Sequence, residues 1–509
     1  MNVIDVVVSS MGKETPLQKA ENTYRYEDVE VSFEERKGVV CYLTAQDTPV
    51  SYLKVYFEDK PSKESLVLGD AFERSYGDLE WKRLEDAGFM PWYFFLSEPN
   101  RVQAYGVKVR PAALCAWMIE DGRVCLHLDV CNGSRGVVLK GRKLEVAHIL
   151  RGEYDGQDVF TACKSFCKKM CDDGIFPEKP VYGGNNWYYA YGKSSDAEIL
   201  EDAKTIAELA EGLENRPFMI IDDCWSVNSC AGPWDQLRPT FKDMAKLAQS
   251  INEQGVLPGC WIRPLFYKNC EFPDAWILRR NDGGITLDVT VKEAREFVLQ
   301  NFTRLKEWGY KLIKHDFTTF DFFGGFAFEF DGFLTQGKGE WSFADGSKTN
   351  AEIVVEFYKD VRKAAEDVMI MGCNTLSHLS AGLVELQRIG DDTSGVEWER
   401  TRKMGVNTLA FRLCQHGVFY AVDADCVGIT QKIEWTRNRK WLDLVAKSGT
   451  PLFVSLSPDC KTEEIACDLR KAFQINSVQK DECIPLDWQV TKTPNRWKIN
   501  GEEVVYDWE

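Results

Sequence analysis

The feature that most constrains the fold is an alternation of short apolar runs with amphipathic stretches between residues 181 and 457. Each stretch, such as "DAEILEDAKTIAELAEGLE" from residue 196, has apolar residues at helical spacing, and each run is short enough for a buried strand. A strand followed by a helix, repeated, is typical of a parallel sheet. Eight such units predict a (β/α)8 barrel. The predicted strands begin at residues 181, 218, 256, 310, 368, 384, 416 and 451.

The segments on either side of the barrel have a different pattern. Runs such as "VVCYLTA", "SYLKVYF" and "VCLHLDV" alternate apolar and polar residues between turns, which predicts a β-sandwich over residues 1–155. The segment "GQDVFTACKSFCKKMCDDG" predicts a helical linker over 156–178, and the barrel then spans 179–457. Short β-like runs predict a small β-domain over 458–509. The predicted fold class is therefore multidomain, α/β plus β, with a TIM barrel between two β-domains.

Charge and cysteine content narrow the class of protein. The 509 residues have a formal net charge of -17, which disfavours nucleic acid and anionic membranes and favours a neutral or cationic small-molecule partner. Because there is no signal-peptide pattern and no run of about 18 apolar residues, we expect a cytoplasmic protein. The 17 cysteines show no paired CxxC spacing and the five histidines no HxH or HExxH spacing, so no zinc site and no mixed histidine-carboxylate site is predicted.

Carboxylates follow several of the predicted barrel strands. The active site of such a barrel lies at the carboxyl ends of its strands, so these acids predict an acidic pocket. An isolated aspartate there is more often the N-cap of the next helix, but adjacent acids can serve both purposes. The pocket could bind a divalent metal through oxygen atoms alone, or it could cleave a glycoside with two carboxyl groups, with some of the 16 tryptophans stacking on the sugar. The acids are Asp222, Asp223, Asp316, Asp391, Asp392, Asp423 and Asp425.

Two of these acids have a cation on the same face of their strand. Lys314 lies two residues before Asp316, and Arg388 lies four residues before Asp392. A nearby cation lowers the pKa of a carboxyl group and keeps it ionised, as a nucleophile must be. We therefore expect catalysis or binding, rather than packing alone, from these pairs.

Several motifs resemble those of glycoside hydrolase family 36, in the α-galactosidase clan. "IIDDCW" resembles the paired-aspartate segment, "LIKHDF" the K-x-D nucleophile strand, and "MGCNTLSHLSAGLVELQRIGDDTSG" the segment ending in R-I-G-x-D. These motifs occur in the family's order over about residues 180 to 457. The family also has a large β-sandwich before its barrel and a small β-domain after it, so the resemblance implies the fold predicted above.

The resemblance implies the catalytic residues. Asp316 matches the nucleophile and Asp392 matches the acid/base at the end of R-I-G-x-D, while Asp391 occupies the x position. Asp222 and Asp223 would hold the 4- and 6-hydroxyl groups of galactose. Lys314 is implied to bind the sugar on the side of its 3- and 4-hydroxyl groups. Arg388 is implied either to orient the acid/base or to reach the 2-position of the sugar.

Further residues are implied to shape the pocket. Cys373 and Asn374 would lie near the substituent at the 2-position of the sugar. Trp187, Trp225 and Trp261 are candidates for the pocket wall. Family members also insert an aromatic residue from the N-terminal sandwich, and the candidates for that role here are Trp81 and Trp92.

The implied function is that of a retaining exo-α-galactosidase that uses two aspartates and no cofactor. Its substrate would be a neutral α-galactoside, either an oligosaccharide or a glycoside. The same site could instead prefer α-N-acetylgalactosamine, or transfer galactose to another sugar. Two different classes stay open: a galactoside-binding protein without catalysis, and a metal-dependent barrel enzyme.

Overall fold

The first 155 residues form two antiparallel sheets that pack face to face. The computed structural model describes residues 1–281, 283–327, 340–478 and 482–509. Trp117 of one sheet packs against Phe94 and Tyr105 of the other, with ring centroids 5.7 and 5.9 Å away. In spatial order, the six-stranded sheet comprises Met90–Pro91, Leu114–Glu120, Arg123–Asp129, Tyr52–Phe57, Val3–Ser10 and Lys13–Pro16. The nine-stranded sheet comprises Gln18–Ala20, Thr23–Tyr26, Val29–Glu35, Val39–Thr44, Leu144–Asp155, Arg101–Val107, Tyr93–Glu98, Leu66–Gly69 and Lys82–Arg83.

The predicted linker contains one helix, Val159–Met170, which packs on the nine-stranded sheet. Its N-cap is Asp158, whose side chain accepts a hydrogen bond from the backbone of Thr161. Cys163 and Cys167 lie on its buried face, one turn apart. All 17 cysteines of the chain lie in the described ranges, and none forms a disulfide.

A parallel sheet follows, and each of the eight predicted runs contributes a strand to it. In spatial order the strands are Ala421–Asp423, Leu386–Arg388, Met369–Gly372, Leu312–His315, Leu257–Ile262, Phe218–Ile221, Tyr182–Asn185, Leu452–Leu456 and Cys426–Ile429. The first and last of these are separated along the chain only by Ala424 and Asp425. They are two halves of one interrupted strand, each paired in parallel with its neighbour, so the sheet returns to itself.

Helices connect these strands, and the longer ones each bury one largely apolar face. Met244–Glu253, for example, buries Met244, Leu247, Ala248 and Ile251, the spacing of one helix face. The other α-helices of this region are Trp187–Ala190, Asp196–Leu209, Lys292–Glu307, Thr318–Phe323, Asn350–Ala365, Ser377–Ser380, Trp398–Thr401, Thr408–Arg412 and Trp435–Ser448. A π-helical segment, Arg402–Asn407, joins two of them. Within the described part of the chain, no helix is long and apolar enough to cross a membrane.

Two further features lie around the barrel. A three-stranded antiparallel sheet of Phe266–Lys268, Ile277–Asn281 and Gly284–Leu287 is inserted after the third barrel strand, and the sequence pattern did not predict it. Residues 458–509, predicted as a β-domain, begin with the helix Glu463–Asn476, which packs against the helix before the eighth strand. The terminal sheet itself comprises Cys483–Pro485, Arg496–Ile499 and Glu502–Val505.

Candidate active site

The carboxyl ends of the barrel strands bring polar side chains into one cluster. The strand of "LIKHDF" shows how, because alternate residues face opposite sides of a sheet. Lys314 and Asp316 face the barrel interior, whereas His315 lies outside it against the rings of Phe302 and Phe357. The resulting cluster contains Asn185, Asp222, Asp223, Lys314, Asp316, Arg388, Asp392, Asp423 and Asp425.

Asp316 is a buried carboxylate with both oxygens hydrogen-bonded. Its side chain accepts a bond from the indole nitrogen of Trp261 at 2.9 Å and from the backbone nitrogen of Phe317 at 2.8 Å. Burial raises its pKa, but the charges of Arg74 and Lys314 and the Trp261 bond outweigh burial and hold the pKa below the usual range. The site therefore keeps Asp316 ionised and fixed in direction.

The backbone turns sharply after two of the acids. Phe317 and Cys224 have φ angles of 58° and 81°, in the left-handed region that non-glycine residues rarely adopt. In each case the turn directs the backbone N–H back to the preceding acid, Asp316 or Asp223. Strained backbone of this kind is concentrated at functional sites, where surrounding contacts hold it in place.

Lys314 forms its salt bridge with Asp222, at 2.7 Å, and not with Asp316 as the strand spacing suggested. Its charge still lowers the pKa of Asp316 across the cluster. Asp222 also accepts a bond from the amide of Asn185 at 2.6 Å. The neighbouring Asp223 is in a different environment: burial, together with the charges of Asp222 and Asp316, raises its pKa to about 7.

The two acids of the second adjacent pair also point in different directions. Asp392 faces the cluster and lies 3.2 Å from the guanidinium of Arg388, whereas Asp391 turns to Arg400, at 2.7 Å. Arg74 contacts both acids, at 3.5 Å from Asp392 and 3.4 Å from Asp391. Burial raises the pKa of Asp392, but the charges of Arg74 and Arg388 outweigh burial, and the pKa lies below its usual range. The Asp392 side chain is still 38% exposed, so solvent can reach it.

Arg388 is occupied by three carboxylates. Besides Asp392, its guanidinium contacts Asp425 at 2.6 Å and Asp423 at 3.3 Å. The side chain is only 1% exposed. The predicted role of orienting the acid/base agrees with these contacts, whereas contact with the 2-position of a sugar does not.

The N-terminal sandwich reaches the cluster through the segment "ERSYG", residues 73–77. Ser75 pairs like a strand with the end of the sixth barrel strand: its N–H donates to Ile389, and its carbonyl accepts from Asp391, both at 2.8 Å. This pairing places Arg74 against the acids. Sequence reasoning missed this segment because its partners lie about 300 residues away, and a charged segment after a strand looks like any surface loop.

The 73–77 segment also brings the ring of Tyr76 to the cluster. Its hydroxyl accepts a bond from the amide of Asn374 at 3.1 Å, and its ring lies 5.5 Å from that of Phe326. The two predicted candidates are elsewhere. Trp92 is fully buried and bonds to Asp70, and Trp81 packs on Trp488 beside the C-terminal segment.

The three predicted barrel tryptophans differ in position. Trp261 bonds to Asp316, and Trp187 is half-buried next to Tyr191 at the end of the first barrel strand. The prediction that Trp225 forms part of the pocket wall is wrong. Its ring is fully buried, and its N–H donates to the backbone carbonyl of Trp261, so it supports the wall from behind.

Cys373 and Asn374 lie in the cluster but are fully buried. The Cys373 sulfur is 3.5 Å from the guanidinium of Arg74. Asn374 bonds to Glu73, to Tyr76 and to the backbone of Phe320. Neither side chain is open to the cleft, so their predicted contact with the 2-substituent is not available, and Asn374 instead connects the 73–77 segment to the barrel.

Comparison with solved structures identifies the architecture. No protein-family model matches the chain. An α-galactosidase from Thermus thermophilus, solved with p-nitrophenyl α-D-galactopyranoside, superimposes with a TM-score of 0.64 at 16% identity, over 99% of each chain. A family 36 α-galactosidase from Geobacillus stearothermophilus, solved with 1-deoxygalactonojirimycin, gives 0.61 at 13% identity, over 97% of this chain and 78% of that one. This protein has the α-galactosidase fold.

The structural match confirms the fold that the motifs implied. The galactosidase domain of an α-galactosidase-sucrose kinase also matches, with a TM-score of 0.57 at 15% identity, over 94% of this chain and 74% of that one. The likeness therefore includes the sandwich as well as the barrel. At these identities the comparison establishes the fold, and the function rests on the site.

Proposed function

We propose that this protein is a retaining exo-α-galactosidase, a glycoside hydrolase acting on neutral α-galactosides. The observation that carries the proposal is the pairing, in one cluster, of a buried and ionised carboxylate, Asp316, with a second, partly exposed carboxylate, Asp392. Support comes from structures with the same fold that were solved with stachyose and raffinose. A cytoplasmic location is also proposed, supported by the free state of all 17 cysteines.

The chemistry is a double displacement. Asp316 attacks the anomeric carbon while Asp392 gives its proton to the leaving oxygen, so that the glycosidic bond breaks and a galactosyl ester forms. A water molecule then attacks the anomeric carbon, Asp392 takes its proton, and Asp316 leaves as a free carboxylate. Trp261 and the backbone of Phe317 hold Asp316 in direction throughout.

The low pKa of Asp392 has a consequence for this mechanism. The acid must be protonated for the first step, so the free enzyme is expected to work best on the acidic side of neutrality. The negative charge of Asp316 opposes ionisation of Asp392, because the two carboxyl groups interact. Ester formation removes that charge, which lowers the pKa of Asp392 further and suits it to act as the base in the second step.

Binding of the sugar is proposed for the other pair of acids. Asp222 is neutralised by Lys314, and both accept or donate hydrogen bonds in fixed directions, as recognition of the 3- and 4-hydroxyl groups requires. Asp223, with a pKa near 7, can accept a bond from a hydroxyl at neutral pH. We also propose a reaction without a metal, because cations already contact Asp222 and Asp392: Lys314 the first, Arg74 and Arg388 the second.

The test compares two aryl glycosides. Release of 4-nitrophenol is measured from the α-galactoside and the α-N-acetylgalactosaminide, with and without a chelator. We expect turnover of the galactoside at a rate that the chelator does not change. Preference for the acetylated sugar would keep the mechanism and change the substrate. Absence of turnover, with binding of galactose retained, would instead indicate a binding protein.

The role of Asp316 has its own test. Asp316→Asn is expected to lower turnover by about 10⁴-fold or more while the circular dichroism spectrum stays unchanged. In Asp316→Gly, azide can occupy the vacated space, attack the anomeric carbon and form β-galactosyl azide as the nitrophenolate leaves. Substantial turnover by Asp316→Asn, or no β-azide product, would contradict the assignment.

A further inference from the structure

The outer face of the six-stranded sheet carries a cluster of three side chains that the proposed reaction does not use. Cys125 and His127 alternate along the strand Arg123–Asp129 and so project from the same face. Glu120 ends the neighbouring strand, and its register with Arg123 places it on that face too. In the described part of the chain, one oxygen of Glu120, the Cys125 sulfur and a ring nitrogen of His127 lie within 4.8 Å of one another.

We propose that Glu120, Cys125 and His127 form a zinc-binding site. Nitrogen, sulfur and carboxylate oxygen are the donor atoms that zinc takes in proteins, and the thiol disfavours magnesium and calcium. The sequence signal was the short "CLH" spacing, which differs from the CxxC and HExxH patterns that predict zinc from sequence alone. The site lies in the N-terminal sheet and is independent of the proposed active site.

The distances in the cluster are close to those that zinc requires. Ligand atoms around tetrahedral zinc are about 3.3 to 3.7 Å apart, given bonds of about 2.0 to 2.3 Å. The ring nitrogen Nε2 of His127 and Oε1 of Glu120 are now 2.7 Å apart in a hydrogen bond, so the metal would separate them by less than about 1 Å. The sulfur would move inward by at most about 1.2 Å, from its limit of 4.8 Å. Side-chain rotation alone can supply both changes.

Zinc binding requires two protons to move. His127 binds as the neutral ring: its Nε2–H now donates to Glu120, so that proton moves to Nδ1 through solvent when Nε2 takes the metal. Burial raises the pKa of the Cys125 thiol, so the metal has to displace its proton: the S–H bond breaks, the S–Zn bond forms, and the proton passes to solvent. Zinc binding should therefore release one proton per chain and weaken as the pH falls.

The charges around the cluster favour the bound form. Two neighbouring cations are already paired: Lys54 with Glu14 at 2.9 Å, and Arg123 with Asp5 at 3.6 Å. Glu120 supplies one negative charge. A zinc ion with one thiolate carries one positive charge, so the occupied cluster is electrically neutral.

The surroundings of the cluster would hold the ligands and admit the ion. The Tyr56 hydroxyl donates to the second oxygen of Glu120 at 2.6 Å, and Phe89 packs edge-on against the His127 ring at 6.1 Å. Such outer contacts orient metal ligands and are worth about 10- to 100-fold in affinity. The Glu120 side chain is 23% exposed, which leaves a path for zinc and a water molecule as its fourth ligand.

The test uses the full chain, first freed of metal with a chelator. Zinc content is measured after incubation with Zn²⁺ and gel filtration, for the wild type, Cys125→Ser and His127→Gln. Cys115→Ala is the matched control, because Cys115 lies on the adjacent strand but on the opposite face of the sheet. We expect one zinc per chain in the wild type and the control, and affinity at least about 100-fold weaker in the other two.

Cobalt provides a second measurement, and its first arm uses the wild-type protein alone, so that arm does not depend on how well the variants fold. Co²⁺ bound to the wild-type protein should show a thiolate-to-cobalt charge-transfer band, which is lost in Cys125→Ser and kept in Cys115→Ala. Equal zinc content in all four proteins, zinc in none of them, or a cobalt complex of the wild type without the thiolate band would each overturn the proposal.

Discussion

The two adjacent acid pairs of the barrel, Asp222–Asp223 and Asp391–Asp392, have the same composition but divide their work differently. In the first pair, Asp222 has the cation at 2.7 Å, while the pKa of Asp223 is raised to about 7. In the second, Arg74 contacts both acids, and Asp392 has a lowered pKa while 38% of its side chain is exposed. The four residues are all aspartates, so the difference comes from which cations contact each one. Those contacts decide whether an aspartate is suited to bind the sugar, to donate a proton or to hold a neighbouring side chain.

The largest effect on activity is expected from replacing Asp392 while Asp391 is kept. Asp392→Asn should lower kcat/KM for an unactivated substrate such as raffinose by about 10³-fold, because the leaving oxygen then has no proton donor. The loss on 4-nitrophenyl α-galactoside should be smaller, since nitrophenolate needs little protonation. The measurement is kcat/KM on both substrates.

Asp391→Asn is the matched control for that experiment. Since its side chain bonds to Arg400, we expect a loss of less than about tenfold on either substrate. If Asp391→Asn were the more damaging change, the acid/base would be Asp391 and the assignment to the final aspartate of R-I-G-x-D would be wrong.

Replacing the two acids of the first pair should change the free energy of unfolding in opposite directions. Asp222→Asn leaves Lys314 buried beside a neutral amide and should lower the free energy of unfolding by about 3–5 kcal/mol. Asp223→Asn removes a charge that burial and two neighbouring acids disfavour, so at pH 8 it should raise the free energy of unfolding. Urea unfolding at pH 8 measures both, and changes of the same sign would contradict the contrast.

The smallest expected effect is a shift in pH dependence. Arg74→Met removes the cation that lowers the pKa of Asp392 most, so that pKa should rise. The protonated acid then persists to higher pH, and the alkaline limb of the kcat/KM profile should move upward by about one pH unit. Arg400→Met is the comparison: its salt bridge goes to Asp391, and its charge lowers the pKa of Asp392 less than that of Arg74 does, so it should move that limb by less. A downward shift in Arg74→Met would refute the electrostatic account.

The sequence was sufficient for features that depend on local periodicity. Eight apolar runs identified the eight barrel strands, and the period of two in "LIKHDF" placed Lys314 and Asp316 on the inner face. The motif order also led to the α-galactosidase fold, which the structural match confirms. These features are encoded within a few residues of one another, so a pattern can reveal them.

Other features depend on contacts between distant parts of the chain. The partner of Lys314 could be read from its own strand only as Asp316, whereas Asp222 lies 92 residues away in another strand. The burial of Trp225 behind Trp261 likewise depends on the packing of Trp234 and Trp308 around it. No periodicity records such contacts, because they are decided by how the layers pack together.

The pairing of Ser75 with residues 389 and 391 makes the barrel dependent on a segment of the sandwich that lies about 300 residues before its partners. A polypeptide beginning at the first barrel strand would retain Asp316 and Asp392 but lack Arg74 and Tyr76, and with them the electrostatic setting of the acid/base. The unit that can be inherited, exchanged or engineered as an active site is therefore the sandwich and the barrel together. The sandwich and the barrel cannot be treated as separate modules, because their backbones hydrogen-bond to each other at the site.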